Sequence, residues 1–211
     1  PWQAFGDRVQ TSDTIFELDT LPPRMAVIGL GAIGVEFAQA LAHLGIEVTA
    51  FGRGAMFGGL TDKKVTAALR AALANDMTVH TGGDAELFVV DGGIAVRSGN
   101  TEVVVDQVLA AMGRRPNLDD IGLETLGLTL DDKGMPPVDP TTTRIGELDV
   151  FLAGDAGGHI ELLHEAADED YIAGYNAVAE DPTCFTRRTP IGIVFAEPGI
   201  ASVGRRHAEL A

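Results

Sequence analysis

Apolar residues along this chain fall into two textures that alternate over its first half. The run Met25-Ala26-Val27-Ile28 carries no polar alternation, as expected of a parallel strand buried on both faces, and predicts a strand over 25–29. From Ala32 to Leu44 the apolar positions recur at helical spacing, with Ile33, Phe37, Ala40, Leu41 and Leu44 on one predicted face. Gly45 follows where a helix-ending glycine belongs. A second strand is predicted over 46–51. A second helix is capped within Thr61-Asp62-Lys63-Lys64 and runs to about residue 75, with Val65, Ala68, Leu69 and Leu73 inward. Residues 78–80 give a short third strand.

The pattern then changes. Between 86 and 108, short β-type runs are broken by Asp91-Gly92-Gly93 and Ser98-Gly99-Asn100, which are hairpin signals. A further buried strand is predicted at 107–111. Ahead of these elements, residues 1–23 read as irregular, with a possible short helix at 13–18 halted by Pro22-Pro23. After Gly113, the stretch 114–147 is rich in Pro, Asp, Thr and Gly and reads as an excursion over a surface. A strand at 150–155 ends in a turn, a helix spans about 161–179, and another strand begins at 191. The predicted fold is α/β: a Rossmann-like βαβ core with a parallel sheet and a β-meander insertion.

The junction between first strand and first helix is Gly29-Leu30-Gly31-Ala32-Ile33-Gly34, a Gly-x-Gly-x-x-Gly. Between a strand and a helix, this spacing holds a dinucleotide pyrophosphate. The first glycine makes the sharp turn, the second lets backbone approach the ligand, and the third lets helix and strand pack closely. A fortuitous glycine turn is the alternative. The tip of the second strand, Phe51-Gly52-Arg53-Gly54, bears on the choice of nucleotide. It lacks the carboxylate that binds the ribose 2′-hydroxyl of NAD and carries a guanidinium suited to the 2′-phosphate of NADP. That leans toward NADP, against the plainer reading of Arg53 as a solvated loop residue.

Composition narrows the class. The chain has 211 residues, 45% hydrophobic and 22% charged, enough for one large or two small domains. Its 26 glycines exceed the roughly 15 expected at ~7% average usage, so tight turns are frequent. Fifteen basic against 31 acidic residues give a net charge of −16, which argues against nucleic acid or an anionic membrane as partner. Cys184 stands alone, so no intrachain disulfide forms, as fits a reducing, cytoplasmic setting. No apolar run approaches the ~20 residues of a membrane span. Pro1, with no signal pattern after it, suggests an internal edge of a longer protein.

Other candidate groups carry less. Gly154-Asp155 lies where α/β folds place ligands; Asp155 suits a sugar or phosphate-linked hydroxyl, or equally a turn. His159 and His164 are five apart, a poor spacing for two ligands on one helical face. The run Asp168-Glu169-Asp170 reads as a solvated face. Ser12, Ser98 and Ser202 lie in no nucleophile-elbow pattern.

Taken in order, these blocks resemble the pyridine nucleotide–disulfide oxidoreductases, most of all the dihydrolipoamide dehydrogenase group. The resemblance runs through Leu21-Pro22, Gly29 to Glu36, Ala110-Ala111-Met112-Gly113-Arg114-Arg115-Pro116-Asn117, Val150 to Ala156, and Leu162-Leu163-His164-Glu165-Ala166. It closes with Val194 to Gly204. It implies a lead-in from the FAD domain at 1–23, a nicotinamide-nucleotide domain at 24–113, a return to the FAD domain at 114–187, and the start of a dimerisation domain at 188–211. Under it, Gly29, Gly31, Ala32, Ile33 and Gly34 hold the nucleotide pyrophosphate. Glu36 lies near the nicotinamide, Gly52 and Arg53 at the adenosine end, and Gly113 against the nucleotide. Gly154, Asp155, Leu162, Leu163 and His164 contact FAD, the helix from Leu162 aiming its positive end at the flavin.

The resemblance also implies what this stretch lacks: the first FAD-binding unit and the redox cysteines on one side, the catalytic His-Glu pair on the other. No catalytic residue and no metal site are therefore expected within it. Ala32 stands where a larger residue often gates the nicotinamide, and Met112 where Thr is common. Gly52-Arg53 resembles the mercuric and glutathione reductases more than the NAD-dependent dehydrogenases. The implied parent is a homodimeric FAD enzyme, serving cellular redox balance, that passes hydride between NAD(P)H and a small-molecule or protein-bound disulfide. The alternatives are a flavin reductase or NADH oxidase without a disulfide substrate, and a non-catalytic dinucleotide-binding module.

Overall fold

The structure, a computed structural model, describes residues 2–54, 56–205 and 207–210. It divides into two compact units. The first comprises Pro1–Gly113 with Pro190–Ala211, the second Arg114–Thr189.

The first unit is built on strands β1 (Val9–Gln10), β2 (Arg24–Ile28), β3 (Glu47–Gly52) and β4 (Thr78–Thr81), with helices α1 (Ala32–His43) and α2 (Lys63–Leu73) between them. Strands β5 (Glu86–Val90), β6 (Gly93–Ser98) and β7 (Thr101–Val105) form the antiparallel meander, and β8 (Gln107–Ala110) returns to the main sheet. That sheet has the order β1-β8-β2-β3-β4, and all its pairings are parallel.

Burial on both faces accounts for the unalternating strands. Met25, Val27, Val48, Ala50 and Leu109 face one core with Val35, Ala38, Leu41, Leu69 and Leu73 of the helices. Ala26, Ile28, Phe51 and Val108 face the other, with Ile94, Val96 and Val105 of the meander. The last part of this unit is a hairpin, β9 (Ile191–Val194) with β10 (Ile200–Val203), whose Val194 and Ile200 join the helix-side core. The buried Gln39 amide ties it to α1, donating to the Glu197 carbonyl (2.7 Å) and accepting from the Glu197 N–H (2.6 Å).

Several expectations need correction. Residues 9–10, read as irregular, form the edge strand β1; two residues are too few to show a period. The predicted face of α1 is rotated. Gly34, Val35, Ala38, Gln39 and Leu41 are buried, while Leu44 is 66% exposed. Small residues at 34 and 38 let this helix lie close on the sheet, and close approach, not side-chain size, chose the face. On α2, Leu69 and Leu73 are buried, but Val65 and Ala68 are exposed.

In the second unit, Leu118, Leu123 and Ile145 centre a small core, and helix α3 (Leu163–Asn176) follows the turn Gly154–Gly157. The strand predicted at 150–155 is reduced to a single bridge between Phe151 and Arg144. A strand needs a partner along its length for its backbone groups. Here the Ile145 N–H donates to Val150 (2.8 Å) and the Leu152 N–H to Thr143 (2.9 Å), and the pairing goes no further. Among the described residues, no helix is long and apolar enough to cross a membrane.

Candidate functional site

The glycine turn closes the carboxyl end of β2. The Gly29 N–H donates to the Phe51 carbonyl (2.8 Å) and the Ala111 N–H to the Ile28 carbonyl (2.7 Å), so neighbouring strands grip the turn from both sides. Gly29 has φ +106°, and a Cβ there would stand 2.1 Å from the Ala111 oxygen. A Cβ on Gly34 would stand 1.8 Å from the Gly29 oxygen. Both glycines are demanded by the protein packing on itself.

Gly31 differs. It is the N-cap of α1, with φ −72°, open to any residue, and a Cβ there would meet nothing within 4 Å. No side chain caps this helix. The first-turn amides at its positive end thus receive no side-chain cap, and an anionic group is stabilised at such an end. A pyrophosphate fits that cradle. Ala32 and Ile33, partly buried, open the helix. The Glu36 carboxylate, one turn on, accepts the Phe195 N–H (2.8 Å).

Gly52 ends β3 tightly; a Cβ there would meet the Leu30 side chain at 2.9 Å. Arg53 follows at the tip, and its Nε donates to Oδ1 of Asp84 (2.5 Å). Asp84 lies three residues past β4, the strand beside β3. Next to the tip, a polar cleft of about 350 Å³ opens between Thr81 and the β6–β7 turn at Gly99 and Asn100. Gly113 (φ +112°) lies three residues past the end of β8, with open space on its Cβ side. Gly29, Gly31, Gly52 and Arg53 thus gather at the carboxyl ends of β2 and β3, the edge where open α/β sheets bind ligands.

The second unit holds Gly154, Asp155, Leu162, Leu163 and His164. Asp155, half exposed, pairs with Arg114 (2.8 Å), whose guanidinium also reaches Glu161 (2.8 Å). Leu162 is the N-cap of α3 and supplies no side-chain cap; Leu163 and His164 are exposed. The Asp155 carboxylate and the uncapped α3 amides are compatible with a hydroxyl-bearing, anionic cofactor.

The acidic run 168–170 departs at Glu169 from the solvated face expected of it, while Asp170 is exposed. Glu169 is fully buried: it accepts the Gly154 N–H (2.7 Å) and pairs with Arg187 (2.5 Å). Arg187 also reaches the buried Glu165 (3.3 Å). Reasoning from charge runs missed this cluster. The usable signal was spacing, since 165, 169, 172 and 176 fall on one helical face and all four are buried.

Residues 3–169 match the family of pyridine nucleotide-disulphide oxidoreductases, and the chain belongs to it. It is similar to the soluble pyridine nucleotide transhydrogenase of Pseudomonas paraeruginosa, 31% identical over 96% of this chain and 44% of that protein. Dihydrolipoyl dehydrogenase of Chlamydia trachomatis is 29% identical over 97% of this chain and 44% of its own length. Among solved structures, LpdA from Mycobacterium tuberculosis superposes with a TM-score of 0.84 at 28% identity, covering 97% of this chain and 45% of that one. The chain spans less than half the length of these relatives. The family works with FAD and a nicotinamide nucleotide.

Proposed function

We propose that this chain is the nicotinamide-nucleotide-binding part, with an adjoining portion of the flavin domain, of an FAD-dependent oxidoreductase. The parent passes hydride between NAD(P)H and FAD and on to a disulfide, in the manner of dihydrolipoamide dehydrogenase. In this reading residues 24–113 bind the nucleotide, 114–187 belong to the flavin domain and 188–211 open a dimerisation domain. The parent is a cytoplasmic homodimer.

The observation that carries the proposal is the division of labour among the three glycines. Two are confined by the protein itself, and the third, Gly31, leaves room at the start of a helix that no side chain caps. When bound, the two cofactors supply the redox chemistry, and the protein supplies orientation and electrostatics. Residues 29–34 hold the pyrophosphate. Glu36, fixed by the Phe195 amide, faces the nicotinamide side, and Gly52 and Arg53 take the adenosine end. Gly113 allows close passage of the nucleotide. Asp155, within the Gly154–Gly157 turn, accepts a cofactor hydroxyl, and Leu162, Leu163 and His164 line the start of α3 toward the flavin.

Two titrations test this together. Calorimetry with NADH and NADPH is expected to give saturable binding of at least one of them. Equilibrium dialysis with FAD is expected to give weak or no retention, because most of the implied flavin site belongs to segments that this chain does not span. Absence of nucleotide binding would overturn the first half of the proposal; tight, stoichiometric FAD retention would overturn the second.

A further inference from the structure

The residue that reads the adenosine end is not working alone. Arg53 is the first residue after β3, and β3 lies between β2, which carries the glycine turn, and β4. Gly52 stands opposite Thr81, the last residue of β4, and Asp84 comes three residues later. The Asp84 carboxylate thereby reaches the tip of the next strand and holds the Arg53 Nε at 2.5 Å. The two side chains are 81% and 74% exposed, so the pair stands in solvent, within reach of a ligand.

We propose that Asp84 determines nucleotide specificity, masking Arg53 and opposing a 2′-phosphate, so that the chain takes NADH in preference to NADPH. The proposal rests on the dinucleotide reading above. An isolated arginine at this position would favour the 2′-phosphate, which brings a charge of about −1.5 to −2. Here the guanidinium is already neutralised, and any phosphate that engages it must also lie beside a carboxylate. An exposed pair is weak enough to be opened by a ligand. Opening it does not remove the negative charge, which stays within a few ångströms of the phosphate. The 2′-hydroxyl of NADH is uncharged and meets no such repulsion. The sequence alone leaned toward NADP because the carboxylate arrives from the loop after β4, 31 residues away.

The test is calorimetric titration of the whole 211-residue chain with NADH and with NADPH, comparing wild type, Asp84→Asn, Arg53→Ala and the double variant. The wild type is expected to bind NADH more tightly. Asp84→Asn is expected to tighten NADPH binding about five- to tenfold, the size of one relieved like-charge contact near a surface, and to leave NADH within about twofold. Adding Arg53→Ala should abolish that gain. Three results would overturn the proposal: an unchanged NADPH affinity in Asp84→Asn, an equal gain for both nucleotides, or a gain that survives loss of Arg53. An equal gain would mark a general effect of the chain's negative charge. If the wild type binds neither nucleotide, the dinucleotide reading itself fails and this one falls with it.

Discussion

Single residues separate what the fold needs from what a ligand needs. Gly34 and Gly31 are three apart in one turn, yet only Gly34 is confined by protein atoms. Gly34→Ala forces its new methyl into the Gly29 carbonyl and is expected to cost about 1–3 kcal/mol, as overpacking does, read from the urea midpoint. In the second unit, Arg187 is the cation for two buried carboxylates, Glu165 and Glu169. Arg187→Met takes the guanidinium from both, leaving Glu165 with only the His164 imidazole at 3.9 Å, and removing one partner of a buried pair costs about 3–5 kcal/mol. The loss should appear in denaturant unfolding. It should be accompanied by loosening of the Gly154 amide, which Glu169 holds, in hydrogen exchange.

Helices and strands show where sequence was sufficient and where it was not. The β2–α1–β3 unit was legible because an apolar run, a glycine spacing and a helical period all agree there. The meander was legible from its Gly-rich turns. Strand β1 was not, since two residues carry no pattern and its place is set by pairing with β8. The run at 150–153 had the composition of a strand but finds little to pair with, and pairing is a tertiary fact. The site was partly legible for the same reason. Glycine positions are local, whereas the Asp84 partner of Arg53 and the Arg187 partner of Glu169 come from distant segments. At the start of α2, the Asp62 carboxylate accepts the Lys64 and Val65 amides at 2.8 and 2.9 Å. Asp62→Ala is expected to lower the unfolding midpoint, and Asp62→Asn to restore most of it, because a neutral amide oxygen caps nearly as well.

Across the whole molecule, charge sets the response to solution conditions. With a net charge of −16, self-repulsion opposes the compact state. Raising ionic strength from about 0.01 to 0.15 M shortens the screening length from about 30 to 8 Å and is expected to raise the melting temperature.

Acid acts through particular carboxylates. The Asp106 carboxyl is held below the ordinary range by hydrogen bonding from the Arg24 guanidinium, and Asp139 by the Thr141 hydroxyl and amide. Backbone amides do the same for Asp131 and Asp62. Each folded-state value lies below the unfolded one, so each contribution is fully present above the unfolded value of about 3.9 and is lost as pH falls through the folded value. Stability from these groups should therefore hold from neutrality to about pH 5 and decline below about pH 4. The decline should be shallower in Asp139→Asn, as followed by urea unfolding across that range.

Open space at Gly31 is proposed to seat a dinucleotide pyrophosphate. NADH titrated into the wild-type chain and into Gly31→Val, side by side, tests it most directly. Gly31 has an ordinary φ and no neighbour on its Cβ side, so the variant should keep the wild-type circular dichroism and lose only the few degrees of melting temperature that a poorer helix cap costs. The expected result is saturable binding to the wild type, weakened at least about tenfold in the variant by the side chain that fills the cradle. Equal affinity in the two proteins, or no binding to the wild type, would mean that no pyrophosphate sits at Gly31.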